Sequence, residues 1–272
     1  MKLTEKQYKQ EIEKMQNKGL KINGSCMSNY HLSNKHSSRY ILIIEWLKSR
    51  NLSTSCEFVE QLYKADVVIR RQLSEILKPI EIQFGSWIKY YFTFNNIGVK
   101  ELLNKEPYEK SADFSIYTHK KGSLKFVQDK LKGKESIPIN DIIDRMMFGT
   151  LVGLICLLDK KHIDIIFSDN EFSMTKEEFT NILNEMVYLR NYIAHNEILF
   201  SNKKLFINER TISLKSIIIS LDKITLGSYS QKLEKYILKY QKYSYEDLSK
   251  KTPIDKLEFD KIFKNIISYL LG

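Results

Sequence analysis

The string Arg190-Asn191-Tyr192-Ile193-Ala194-His195 sets a guanidinium, a side-chain amide and an imidazole within one short stretch. A guanidinium carries a permanent charge and stabilises the charge that builds on phosphoryl oxygens. An imidazole takes or gives a proton near neutrality. The amide of Asn191 can orient a phosphate or the imidazole. Together these groups suit cleavage of RNA by its own 2′-hydroxyl, with no metal and no cofactor. DNA lacks that nucleophile and is not an expected partner. On a helix, positions 191 and 195 share a face, whereas 190 and 195 are turned about 140° apart, so Arg190 must swing its long side chain round. One such set is sparse. Two sets related by a twofold axis would form a cationic groove with two imidazoles, which favours a homodimer or a higher homo-oligomer. The competing reading is plain helix surface, with Arg190 in a surface ion pair and His195 ending the helix in solvent.

Helical periodicity supplies the elements that must hold these groups. Thr4 is placed to cap a first helix that ends at Gly19. Residues 21–38 are polar and irregular, and an apolar-rich helix resumes from Arg39 to Ser49. Glu57 to Phe94 reads as a long helical stretch, broken or kinked near Pro79. Its apolar residues Phe58, Leu62, Ala65, Ile69, Leu73, Ile76 and Ile80 recur at steps of three and four, as one buried face requires. Residues 104–122 read as a connector. Pro138 suits the first turn of a helix running to about Leu158, within which Gly149 and Gly153 would admit a close neighbour. Thr175-Lys176-Glu177-Glu178 is a capping box opening the helix that reaches Arg190. The following ILFSNKKLFIN alternates around a polar turn and predicts a small β-hairpin. From Leu214 onward the pattern is helical again. The expected fold is mainly α, a multi-helical bundle with a minor hairpin after the Arg190–His195 helix. Its expected regions are 1–55, 56–210 and 211–272.

The chain has 272 residues and a formal net charge of +10, which suits a polyanionic partner through counterion release. A lysine-rich genomic bias would give the same charge. Its three cysteines, Cys26, Cys56 and Cys156, are far apart, and neither a zinc spacing nor a disulfide framework is legible. A reducing cytoplasm is the expected compartment. The polar N-terminus is not a signal peptide, and no apolar stretch is long enough to span a bilayer.

Secondary candidates stand beside the main string. Asp66, Arg70 and Glu81 lie on one helical stretch and suit a supporting polar cluster or a structural ion pair. His31, His36 and His162 lack partners at catalytic or metal spacing and read as surface. His119, with Lys120 and Lys121, lies in the long connector and is a candidate RNA contact, as are Lys203 and Lys204 in the hairpin turn. Near the C-terminus Lys235, Tyr236, Lys239 and Tyr240 interleave charge with aromatic rings, a pattern that binds single-stranded RNA by stacking or forms an amphipathic helix with a solvated lysine face.

The segment LRNYIAHNEILF resembles the Arg-Asn-x-x-x-His core of the HEPN ribonucleases, and more closely its form in the Abi-like proteins of bacterial abortive infection, the AbiF and AbiD group. EQLYKADVVIRRQLSEILKPIEIQ resembles that family's Tyr-x-x-Asp-x-x-Leu-Arg segment and its following Glu, at Tyr63, Asp66, Arg70 and Glu81. IPINDIIDRMMFGTLVGLICLL resembles its Pro and Phe-Gly stretch, at Pro138, Phe148 and Gly149. The resemblance spans about Glu57 to Ser201, in the family's order. It implies an all-α HEPN domain and a metal-independent endoribonuclease that acts as a growth-arresting toxin in phage defence. Catalysis would fall on Arg190 and His195 with Asn191 as polar partner. A small non-coding RNA is the implied antitoxin. Two alternatives stay open: a non-catalytic HEPN-like RNA-binding protein, and a toxin silenced by a protein such as a nucleotidyltransferase acting on Tyr192 or a neighbouring hydroxyl. The chain departs from the family pattern where a second His often follows the first, here Asn196, and at Ala65 and Ile69.

Overall fold

Apolar spacing of three and four, with few glycines and prolines to interrupt it, produces ten helices and one two-stranded hairpin among the described residues. The structure is a computed structural model and describes residues 3–22, 37–96, 139–144, 146–169, 174–202, 205–207, 210–225, 229–250 and 255–271. The mainly α expectation holds. No helix among the described residues is long and apolar enough to cross a membrane. The chain groups into two compact units, one of Met1–Glu75, Tyr192–Asp222 and Gly227–Gly272, the other of Ile76–Asn191 and Lys223–Leu226.

In the first unit, α1 (Glu5–Asn17) opens on a capping box in which Thr4 Oγ1 accepts from Gln7 N–H while Gln7 Oε1 accepts from Thr4 N–H. It closes at Gly19, whose φ of +111° only glycine adopts freely. Next comes α2 (Ser37–Lys48), then α3 (Cys56–Phe94), which begins in this unit. Tyr40, Ile43, Trp46 and Leu47 of α2 and Val59, Leu62, Ala65, Ile69 and Leu73 of α3 are all buried. Trp46 packs against Phe200 and Tyr269, at ring-centroid distances of 5.3 and 5.8 Å. Burying side chains of this size contributes about 1.5–3 kcal/mol each. Cys56 is disulfide-bonded, a pairing that the cysteine spacing did not make legible, and Cys156 is free.

The hairpin forms, but one segment later than its alternation suggests. Strands β1 (Leu205–Ile207) and β2 (Arg210–Ile212) pair antiparallel, with Phe206 opposite Thr211. Ile198, Leu199 and Phe200, expected as the first strand, are buried as irregular chain instead. The Leu199 N–H donates to Asp66 Oδ1 at 2.6 Å, so a side chain takes the place of a ladder partner. Three helices follow, α8 (Leu214–Thr225), α9 (Tyr229–Ser249) and α10 (Lys256–Leu270). Asp222 accepts from the N–H groups of Tyr229 and Ser230, and Asp255 caps α10 through Leu257 N–H.

In the second unit α3 continues to Phe94, unbroken at Pro79. Ile80, Phe84, Ile88 and Phe92 form its buried stripe at steps of four. The helix expected from Pro138 to Leu158 is two, α4 (Ile139–Ile143) and α5 (Phe148–Leu157), because Met147 turns extended at φ −66°, ψ 145°. Asp144 just beyond α4 is ion-paired with Lys89. Gly149 lets α5 come close: a Cβ there would lie 3.4 Å from the Val187 side chain. Then come α6 (Lys160–Asp169) and α7 (Lys176–Ala194). The predicted capping box of α7 is present, with Glu178 N–H donating to Thr175 Oγ1 at 3.1 Å and Thr175 N–H to Glu178 Oε2 at 2.8 Å.

Candidate functional site

The last two turns of α7 carry the residues with chemistry. Its buried stripe of Phe179, Leu183, Met186 and Leu189 fixes the helix by its apolar face. Arg190 and Asn191 are consequently turned outward and exposed, and so is His195, the first residue past the helix. His195 makes no hydrogen bond or ion pair among the described residues, which leaves its imidazole open to a ligand.

Arg190 is held from the side. Its Nε lies 3.4 Å from Glu81 Oε1, and its Nη1 donates to Asn191 Oδ1 at 3.4 Å. A guanidinium has five N–H donors, so these two contacts set its orientation without exhausting it. Burial pushes the Glu81 carboxyl up from its ordinary value, and Arg190 pulls it back. Glu81 thus serves Arg190. It is not paired with Asp66 or Arg70, and it lies about 16 Å beyond Arg70 along α3.

Asp66 and Arg70, one turn apart on α3, form a buried ion pair with Arg70 Nε 2.7 Å from Asp66 Oδ2. Their remaining donors and acceptors reach the segment that follows α7. Arg70 Nη1 donates to Asn196 Oδ1 at 2.9 Å, and Asp66 Oδ1 accepts from Leu199 N–H. Burial pushes the Asp66 carboxyl up to about 6, while Arg70 and the N–H groups of Leu199 and Phe200 hold it down against a larger rise. The pair is therefore structural, and what it structures is the turn after His195.

That turn is a helix stop of a defined kind. Asn196 has φ +56°, its N–H donates to Ile193 O at 3.0 Å, and Glu197 N–H donates to Tyr192 O at 3.1 Å. This is the Schellman pattern, which needs a residue tolerant of the left-handed region. Asparagine is one, so the departure from the family's second His keeps a competent turn. Sequence reasoning noted Asn196 only as a departure from the family pattern and not as a helix stop. An asparagine just past the end of an amphipathic helix was the available signal.

Tyr192 reinforces the same segment. It is buried, its hydroxyl donates to Ile198 O at 2.6 Å, and burial pushes its phenol up to about 12. A transferase would have to open this turn before reaching that oxygen. Tyr192→Phe is expected to cost at least about 1 kcal/mol in chemical denaturation, since the hydroxyl's bond to Ile198 O is lost while the ring stays.

The other candidates separate from this site. His119, Lys120, Lys121, Lys203 and Lys204, with His31 and His36, lie outside the described residues. Lys235 and Lys239 are exposed on α9, while Tyr236 is half-buried and the Tyr240 ring sits 6.2 Å from that of Phe263 on α10. Tyr240 is thus committed to helix packing. His162 is half-buried and its Nδ1 is hydrogen-bonded by the Tyr91 hydroxyl, so it is not the solvated histidine that its spacing suggests. Among the described residues no group of three or more His, Cys, Asp or Glu is placed to hold a metal ion.

Comparison with known proteins is consistent with the segments that carry these residues. No curated protein and no solved structure matches the chain significantly. A family model described as Abi-like protein matches residues 25–201, more than half of the chain, from before α2 to just past the turn after His195. The chain belongs to the Abi-like protein family.

Proposed function

We propose that the chain is a metal-independent endoribonuclease of the HEPN type, acting as a toxin in bacterial defence against phage. Membership of the Abi-like family associates it with abortive infection. The observation that carries the reading is the end of α7, where Arg190 and Asn191 on its last turns and His195 just past it are all exposed, and Asn196 turns the chain immediately after the imidazole. His195 takes the proton of the RNA 2′-hydroxyl or returns one to the leaving oxygen. Arg190, oriented by Glu81, meets the charge on the phosphoryl oxygens. Asn191 orients the phosphate or the imidazole. One copy supplies one imidazole, and a second copy of the chain supplies the other, so the active species is a homodimer or a larger assembly. The restraint on such a toxin is a small non-coding RNA, drawn to a chain of net charge +10.

The products test this chemistry. Single-stranded RNA incubated with the purified chain in EDTA is expected to yield 2′,3′-cyclic phosphate ends, and a 2′-deoxy substitution at the scissile position is expected to block cleavage. Products with 3′-hydroxyl ends would contradict attack by the 2′-hydroxyl. Restraint by RNA is expected to show as nucleic acid that leaves the purified protein only at high salt. A second reading draws on the Glu81–Arg190 pair, in which a carboxylate already offsets the guanidinium's charge. There the same helix end only holds RNA. It predicts salt-dependent binding with no products under any of these conditions.

A further inference from the structure

We propose that Asn196 is the residue that positions His195, its left-handed backbone ending α7 right after the imidazole and its side-chain amide oxygen tying that turn to Arg70. The inference rests on the ribonuclease reading of His195 and adds the part that aims it. An exposed imidazole on a frayed helix end would sample many directions, and misplacement by about 1 Å costs roughly a hundredfold in rate. This helix end is held at three successive points. Asn196 Oδ1 accepts from Arg70 Nη1 at 2.9 Å, Ile198 O accepts from the Tyr192 hydroxyl at 2.6 Å, and Leu199 N–H donates to Asp66 Oδ1 at 2.6 Å.

The donors and acceptors behind the turn are themselves rigid. The Asp66 side chain is 0% exposed and that of Arg70 is 6% exposed. Each is fixed by the other through the Arg70 Nε to Asp66 Oδ2 bond. Asn196 is the exposed end of this chain of bonds and the immediate neighbour of His195. Its two properties, tolerance of φ +56° and an acceptor at the right reach, are separable by substitution.

Asn196→Gly keeps the left-handed backbone and removes the acceptor. Asn196→Asp keeps both. Asn196→Ala removes the acceptor and strains the turn. With the full chain and a single-stranded RNA substrate, Asn196→Asp is expected to cleave within about threefold of the unaltered chain. Asn196→Gly is expected to lose about tenfold in kcat with KM little changed, and Asn196→Ala to lose more. Asn196→Gly cleaving as fast as the unaltered chain would overturn the proposal. Backbone and imidazole order parameters at residues 195–197, read by NMR on the same variants, do not depend on cleavage. They are expected to fall in Asn196→Gly and to be retained in Asn196→Asp. If they stay unchanged in Asn196→Gly, the positioning role is wrong. If they fall while the unaltered chain cleaves no RNA, positioning stands and the ribonuclease reading fails.

Discussion

His195→Ala is expected to lower RNA cleavage by about 10²–10⁴-fold and to abolish growth arrest on expression, with melting temperature and RNA affinity nearly unchanged. The separation between those readouts follows from where His195 sits. It is exposed, it follows the last residue of α7, and the turn that holds it is built from the side chains of Asp66, Arg70, Tyr192 and Asn196. Truncating the imidazole removes a proton carrier and little else. Arg190→Ala is expected to cost about 10²–10³-fold, and Arg190→Lys to recover only part, because an ammonium cannot keep the Nε contact with Glu81 and still present a fork to phosphate. If the two residues act on one transition state, the double variant is expected to be little worse than His195→Ala. Growth arrest undiminished in both single variants would remove the catalytic role of this helix end.

The contrast between the two arginines shows what a sequence conveys here and what it does not. Arg190 is legible because its chemistry depends on near neighbours, Asn191 and His195, at spacing a helix converts directly into faces. The cap at Thr4, the capping box at Thr175 and most of the stripe from Phe58 to Ile80, in which Ile76 alone is only half-buried, are legible for the same reason: each is read from residues one turn apart. Arg70 is half legible. Its i,i+4 relation to Asp66 can be read from spacing, whereas its bond to Asn196 joins residues 126 positions apart. The pairing of Glu81 with Arg190 is equally non-local, and no periodicity announces it. The hairpin slipped for a related reason. Ile198-Leu199-Phe200 alternates no worse than Leu205-Phe206-Ile207, but the Leu199 N–H finds a buried carboxylate before it finds a strand. The break between α4 and α5 falls at the extended Met147, which no change of periodicity marks.

Asp66→Ala is expected to be the most destabilising single change among the site's supports, at about 3–5 kcal/mol. It leaves the Arg70 guanidinium buried without its counter-charge and the Leu199 N–H without its acceptor. Against a total stability of about 5–15 kcal/mol for a domain, that loss is expected to lower the yield of soluble protein and shift the urea midpoint markedly. The pH dependence of the same group has a definite sign. Its folded pKa, about 6, lies above that of a free aspartate, so the folded chain binds this proton more tightly than the unfolded one. The resulting stabilisation is complete below the unfolded value and is lost as pH rises through about 6. A ¹³C titration of the Asp66 carboxyl is expected to show that midpoint, and an ordinary one near 4 would mean the bonds from Arg70 and Leu199 fully offset burial. Replacing both partners with apolar residues, Asp66→Leu with Arg70→Met, separates stability from positioning. Removing a buried pair together costs far less than breaking it, leaving chiefly the Leu199 N–H unpaired at about 1–3 kcal/mol, while Asn196 and Leu199 lose their partners all the same. That double variant is therefore expected to fold and to cleave poorly, which no account of Asp66 and Arg70 as mere stabilisers of the fold predicts.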